Sequence, residues 1–250
     1  MTHPTQQAKL PLQGKVALVT GALGGMGTAV CQLLQADGAS TVGLDIKKAS
    51  NNVAMPEGSI HRECDTGSES DVKLVFDEIR TRFGRLDFVV HCAALPQGGV
   101  IWKLPIDEWD RIIRANLRSG FLLAHFGIPL MRASGDGGRF VMIGSTSGSV
   151  GRMGQCAYAA SKGGLNALTK TIARESAAFG ILANIIEPGV IRTPMSALMS
   201  DALREQAVSQ SLLAHMGEPG DIASMVVYLC GEGGRHITGQ IIRIDGGEQL

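Results

Sequence analysis

A chain of 250 residues is long enough to bury a sizeable core, and a single α/β domain over residues 1–250 is the expectation. Its 23 Lys+Arg balance 23 Asp+Glu with no long run of either sign, which argues against nucleic-acid and membrane partners. Glycine is abundant, at 33 residues, and charged residues are sparse, at 18%, a balance suited to close backbone approaches and to surface buried between subunits.

The opening MTHPTQQAKLPLQG has no basic stretch followed by an apolar run, and no apolar stretch approaches membrane-spanning length, so a soluble cytoplasmic protein is expected. Cys31, Cys64, Cys92, Cys156 and Cys230 are odd in number and form no Cys-x-x-Cys pair. Neither a disulfide framework nor a metal site is expected, and a reducing compartment fits.

From Lys15 onward, short β-branched runs alternate with longer amphipathic stretches, the pattern of βαβ crossovers onto a parallel sheet. The first strand, Val16–Thr20, leads into Gly21-Ala22-Leu23-Gly24-Gly25-Met26-Gly27 and a helix over about 25–37. Glycine at 21, 25 and 27 allows a tight turn that brings backbone N–H groups and a helix N-terminus against a pyrophosphate. The spacing is G-x-x-x-G-x-G rather than the commoner G-x-G-x-x-G, so a plain strand-to-helix turn stays open as an alternative. Leu23, Gly24 and Met26 belong to the same turn.

The second strand, Thr41–Asp45, ends in a carboxylate 18 residues past Gly27, placed to accept both ribose hydroxyls of adenosine, with Ile46 beside it. That carboxylate would repel a 2′-phosphate, and the glycine turn holds no Arg or Lys, so NAD is favoured over NADP. Lys47 and Lys48 leave some room for NADP.

A third strand, Ser59–Glu63, precedes Asp65, which is placed either to cap the next helix or to hydrogen-bond an adenine amino group. Helices are expected at about 68–83, 107–134, 157–179 and 219–230, with Ser68, Asp107 and Asp221 as capping residues. The fourth strand, Leu86–His91, runs into Cys92-Ala93-Ala94, small residues suited to packing against a cofactor, with His91 in a structural, hydrogen-bonded role. Asn116 falls mid-helix, where it either makes a packing hydrogen bond or holds a water for proton relay.

A strand at Arg139–Gly144 delivers Ser145, at the strand end where open α/β sheets put their ligands. Thirteen residues on, Tyr158 and Lys162 stand at i and i+4 and so share a helix face. A free phenol titrates near ~10, and a neighbouring ammonium would lower that value toward a useful base. Strands at Ile181–Glu187 and Gln240–Ile244 complete seven, with helices on both faces of one doubly wound, Rossmann-type sheet. Residues 191–217 exceed what a short connection needs, and such insertions often act as lids.

Taken in order, Thr20-Gly21-x-x-x-Gly25-x-Gly27, Asn116, Ser145, Tyr158-x-x-x-Lys162, Pro188-Gly189 and Asp245-Gly246-Gly247 resemble the short-chain dehydrogenase/reductase family over nearly the whole chain. The resemblance implies that Ser145, Tyr158 and Lys162 are catalytic and that Asn116 completes a tetrad. It also implies that Pro188, Gly189, Val190, Ile191 and Thr193 contact nicotinamide, and that two long helices pair four subunits into a homotetramer. Gln155-Cys156-Ala157-Tyr158 and the Asp-Gly-Gly ending are similar to 3-oxoacyl-(acyl carrier protein) reductase-like members, which typically use NADPH, in contrast to Asp45 here. His91-Cys92-Ala93-Ala94 departs from the family's common Asn-Asn-Ala-Gly.

These residues imply hydride transfer between NAD(H) and a small-molecule secondary alcohol or ketone. Alternatives are NADPH-linked reduction of a 3-oxoacyl thioester and non-catalytic dinucleotide binding; nucleotide-sugar chemistry would need a further substrate domain. The pocket should draw on residues 95–102 beginning with Leu95, on 146–155 including Thr146, Arg152 and Gln155, and on Met195, Leu198, Met199 and Leu213. The methionine wall suits an apolar alcohol, whereas Arg152 and Gln155 suit a sugar, hydroxy acid or sulfonate.

Overall fold

The computed structural model describes residues 10–48, 56–96 and 98–249. Seven strands, β1 (Val16–Thr20), β2 (Ser40–Asp45), β3 (Ile60–Glu63), β4 (Phe88–His91), β5 (Gly138–Ile143), β6 (Ile181–Pro188) and β7 (Ile241–Ile244), form one parallel sheet in the order β3-β2-β1-β4-β5-β6-β7. The helices are α1 (Gly25–Ala36), α2 (Glu69–Phe83), α3 (Ile106–Ile113), α4 (Ser119–Ser134), α5 (Thr146–Val150), α6 (Cys156–Ser176), α7 (Asp201–Gln210) and α8 (Pro219–Cys230). None among the described residues is long and apolar enough to cross a membrane.

Strands buried on both faces need apolar side chains at every position, and β1 reads VALVT with all five residues buried. Val16 and Leu18 join Phe76 and Ile79 of α2, Leu122 and Leu123 of α4 and Leu165 of α6 in one core. Ala17 and Val19 face the opposite way, against Val30 and Leu34 of α1 and Ile222 and Val226 of α8. At roughly 1.5–3 kcal/mol for each large apolar side chain buried, these two layers fix the helices on both faces. Strand order reverses between β1 and β4, which opens a crevice at the carboxyl ends of the strands.

Several expected boundaries move, each for a hydrogen-bonding reason. Ser59 stays outside β3 because its N–H bonds Pro56 O, at 3.1 Å, in a turn. Gln240 stays outside β7, its N–H taken by Asn184 Oδ1 at 3.0 Å. Ser68 caps α2 as expected. Asp107 does not cap, because α3 begins one residue earlier behind Pro105, and Asp221 is the N3 partner of Glu218 in a capping box. The long helix expected over 107–134 is interrupted by a π-helical turn at Arg114–Arg118. The 191–217 stretch, expected as a lid, holds α7 and is pinched at its base by a bridge between Ile191 and Gly217.

Candidate active site

Thr20 ends β1 at the crevice, and Gly21 turns the chain with φ +63, where a Cβ would stand 2.9 Å from the Ala93 backbone. The turn therefore lies directly on Cys92-Ala93-Ala94, and Ala93 N–H donates to Thr20 Oγ1 at 3.1 Å. Helix α1 starts behind Gly24 with no side-chain cap and no acidic residue in its first turn. Its first N–H groups are thus left for an anion, as a pyrophosphate site requires.

Thr193 packs on this turn, its Cγ2 only 3.0 Å from where a Cβ of Gly25 would be. Gly27 is buried on α1. Asp45 stands beside the turn, its Oδ2 accepting Leu23 N–H at 3.1 Å and its Oδ1 accepting Lys47 N–H at 3.0 Å. The nearby Lys48 is drawn off by Glu63 at 3.6 Å, and Ile46 is exposed. A glycine turn, an uncapped helix end and a carboxylate at the second strand end together fit a dinucleotide.

Asp65 does not cap α2. Its carboxylate accepts Gly67 N–H at 2.9 Å and Arg114 Nη2–H at 2.8 Å, tying the β3–α2 loop to the π turn.

His91 is fully buried and structural, as expected. Ser119 spends its hydroxyl proton on Ala115 O at 2.6 Å, so His91 Nε2–H donates to Ser119 Oγ at 3.0 Å. Thr20 Oγ1–H then donates to His91 Nδ1 at 2.8 Å. Burial pulls the imidazole down to about 3. The neighbouring Cys92 thiol is pushed up to about 12 by the same cause, which leaves it a thiol.

Ser145 caps α5, accepting Ser147 N–H at 3.2 Å, and also hydrogen-bonds Tyr158 at the start of α6. Lys162, one helical turn on, is 1% exposed and donates from Nζ to Ile143 O at 2.7 Å. Burial brings its ammonium down to about 8.

The expected lowering of the Tyr158 pKa by Lys162 is reversed. Burial raises it, and the Ser145 hydrogen bond only partly opposes that. The ammonium, held by Ile143 O, lies 5.7 Å from the phenol ring centre.

Asn116 sits in the π turn with its amide fully engaged. Oδ1 accepts Leu95 N–H at 2.7 Å, and Nδ2 donates to Leu95 O at 3.0 Å and Ser161 Oγ at 3.1 Å. Of its two open roles, the packing hydrogen bond is the one its side chain makes. π turns recur at functional sites because they shift one residue's backbone out of the helical ladder.

A cleft of about 690 Å³ brings together Ser145, Thr146, Arg152, Gln155 and Tyr158 with Pro188, Gly189, Val190, Ile191, Thr193, Met195, Leu198, Met199 and Met26. Several expected pocket residues do not line the cleft, Gly99, Val100 and Ile101 among them. Leu95 does not line it, because Asn116 clamps its backbone; Trp102 is 78% exposed; and Leu213 lines a neighbouring space of about 290 Å³. Gln97, in the expected 95–102 wall, lies outside the described residues. Ser147, within the expected 146–155 wall, also lines the cleft, as does Glu248, which was not singled out in the sequence. Nothing local marks Glu248.

Residues 21–249 match the family described as Enoyl-(Acyl carrier protein) reductase. The chain is 33% identical over 242 residues to a 3-oxoacyl-(acyl carrier protein) reductase of Thermotoga maritima, covering 94% of this chain and 98% of that one. It is 35% identical over 244 residues to the enzyme of the same name from Salmonella typhimurium, covering 95% and 98%. It is also 32% identical over 254 residues to a (3R)-3-hydroxyacyl-CoA dehydrogenase of Mus musculus, covering 96% and 98%.

Proposed function

The chain belongs to the short-chain dehydrogenase/reductase family of oxidoreductases, and from that premise we propose that it interconverts a secondary alcohol and its ketone with NAD(H). The observation that carries this reading is the Ser145–Tyr158 hydrogen bond in the cleft that Pro188, Gly189 and Thr193 also line.

Bound nicotinamide would supply or accept the hydride. Tyr158 gives or takes the hydroxyl proton at the reacting oxygen, and Ser145 holds that oxygen in place. The raised pKa keeps Tyr158 protonated at neutral pH and ready to act as an acid. Lys162, still largely an ammonium at pH 7 with a pKa of about 8 and held by Ile143 O, would bind the nicotinamide ribose. Asn116 is a positioning residue, holding Leu95 against Ser161, the neighbour of Lys162.

Asp45 supports NAD as the dinucleotide, since its carboxylate beside Leu23 N–H would meet a 2′-phosphate. The names of the relatives support a second reading, NADPH-linked reduction of a 3-oxoacyl thioester, which Asp45 opposes. Residues 191–217 act as a lid, supported by Met195, Leu198 and Met199 along the cleft. Exposed Ile106, Trp109 and Phe121 on α3 and α4 support pairing of subunits into a homotetramer, and five cysteines joined by no disulfide among the described residues support a reducing cytoplasm.

Tyr158→Phe tests the assignment. Turnover should fall by about 10²–10⁴ while NADH affinity, read by fluorescence, stays within about threefold. Near-normal turnover in the variant would refute the role of Tyr158.

A further inference from the structure

The cleft holds an ion pair that the proposed chemistry does not use. Arg152 Nη2 pairs with Glu248 Oε1 across 96 residues of sequence, and the Glu248 side chain is only 2% exposed. The segment after β7 is braced to hold that carboxylate in place. Asp245 accepts the N–H groups of Gly247 and Gln249, each at 3.0 Å, and Arg243 Nη1 donates to Gln249 O at 3.2 Å.

Among the described residues, Arg152 uses Nη2 alone, toward Glu248 and toward Thr146 Oγ1 at 3.4 Å. Nε and Nη1 have no acceptor among the described residues. Thr146 follows Ser145, so the guanidinium stands next to the residue that bonds Tyr158.

The charge balance decides what such a guanidinium accepts. Arg152 and Glu248 are the only charged side chains among the described residues lining the cleft. A substrate carboxylate at Arg152 would bring a second anion beside a buried one, with no further cation lining the cleft to offset it. Breaking the pair to admit it would strand Glu248, and unpaired buried charge is costly. An uncharged oxygen can take a spare N–H from Arg152 and leave the pair intact.

Resting on the secondary-alcohol reading above, we propose that the Arg152–Glu248 pair is a specificity element. It anchors a secondary alcohol or ketone bearing a second, uncharged oxygen, such as an ester, ketone or hydroxyl, and rejects the corresponding carboxylate.

A matched pair of racemic substrates, methyl 3-hydroxybutyrate and 3-hydroxybutyrate, tests this with the wild-type enzyme and its preferred dinucleotide. The expected kcat/KM favours the ester by about tenfold or more. Glu248→Gln, which removes the internal counter-charge, should move the acid-to-ester ratio about tenfold toward the acid. Arg152→Met should lower kcat/KM for the ester about tenfold, and decides the matter should the Glu248 variant not fold.

Equal use of acid and ester by the wild type, or a ratio untouched by Glu248→Gln, would overturn the proposal. Absence of turnover with any alcohol would instead overturn the reading of function. In that event the proposal is read by calorimetry with methyl acetoacetate and acetoacetate in the presence of NADH, where tighter binding of the ester sustains it and equal binding removes it.

Discussion

His91 illustrates how a single side chain ties the site to stability. Its imidazole is neutral because both nitrogens are committed, to Thr20 and Ser119, and because burial disfavours a charge there. With a folded pKa of about 3 against an ordinary 6.5, the unfolded chain binds the extra proton between those values. Stability is therefore complete above about pH 6.5 and falls as the pH is lowered toward 3, by about 2 kcal/mol between pH 6.5 and pH 5. His91→Asn removes that titration, so the urea midpoint of the variant should change less over this interval than that of the wild type; equal slopes would contradict the argument.

The structural role of His91 was legible from its place at the end of an apolar strand. So was the meeting of Ser145, Tyr158 and Lys162 at the end of β5, because their spacing and strand-end position carry information locally. The engagement of Asn116 with Leu95 and the partnership of Arg152 with Glu248 were not legible, because each depends on segments brought together only by the fold, the latter across 96 residues. The direction of the Tyr158 pKa departs from expectation for a related reason: sequence spacing shows a neighbouring charge but not the burial of the phenol.

Elements converge on Glu187, which is fully buried immediately before Pro188-Gly189. Its Oε1 accepts from Ser149 of α5 at 2.6 Å and from Asn166 of α6 at 2.9 Å, and its Oε2 from Arg243 of β7 at 3.3 Å. One carboxylate thus joins the helix capped by Ser145, the helix carrying Lys162 and the strand that leads to Glu248. Glu187→Ala strands three donors and should cost about 3 kcal/mol in urea unfolding, whereas Glu187→Gln, which keeps one acceptor oxygen, should cost roughly half as much. A loss below about 1 kcal/mol for the alanine variant would argue against the network.

At this scale the strands were read within a residue or two, because β-branched runs bounded by turns are a local signal. Helix α7 was hidden inside the 191–217 insertion, since its Leu203 is exposed and only Ala207 is buried, which leaves no apolar stripe to find. The π turn was equally hidden, being one extra residue within a continuous helical pattern.

For the whole molecule, the reversal of strand order between β1 and β4 puts every proposed functional group at one edge of the sheet. The glycine turn follows β1, Asp45 ends β2, Ser145 follows β5 and Pro188 ends β6. The sheet was legible because alternating strand and helix signals admit few topologies once crossovers are right-handed. Which substrate fills the cleft was not, because the walls come from separate connections whose contacts no local pattern encodes.

The most direct test of the account is the initial rate of dinucleotide reduction with NAD⁺ and, in parallel, NADP⁺ across a panel of secondary alcohols, sugars, hydroxy esters and hydroxy acids. The account predicts turnover with NAD⁺ exceeding that with NADP⁺ by about tenfold or more, as the Asp45 carboxylate requires. A preference for NADP⁺, or no turnover with either while NADH still binds, would contradict it.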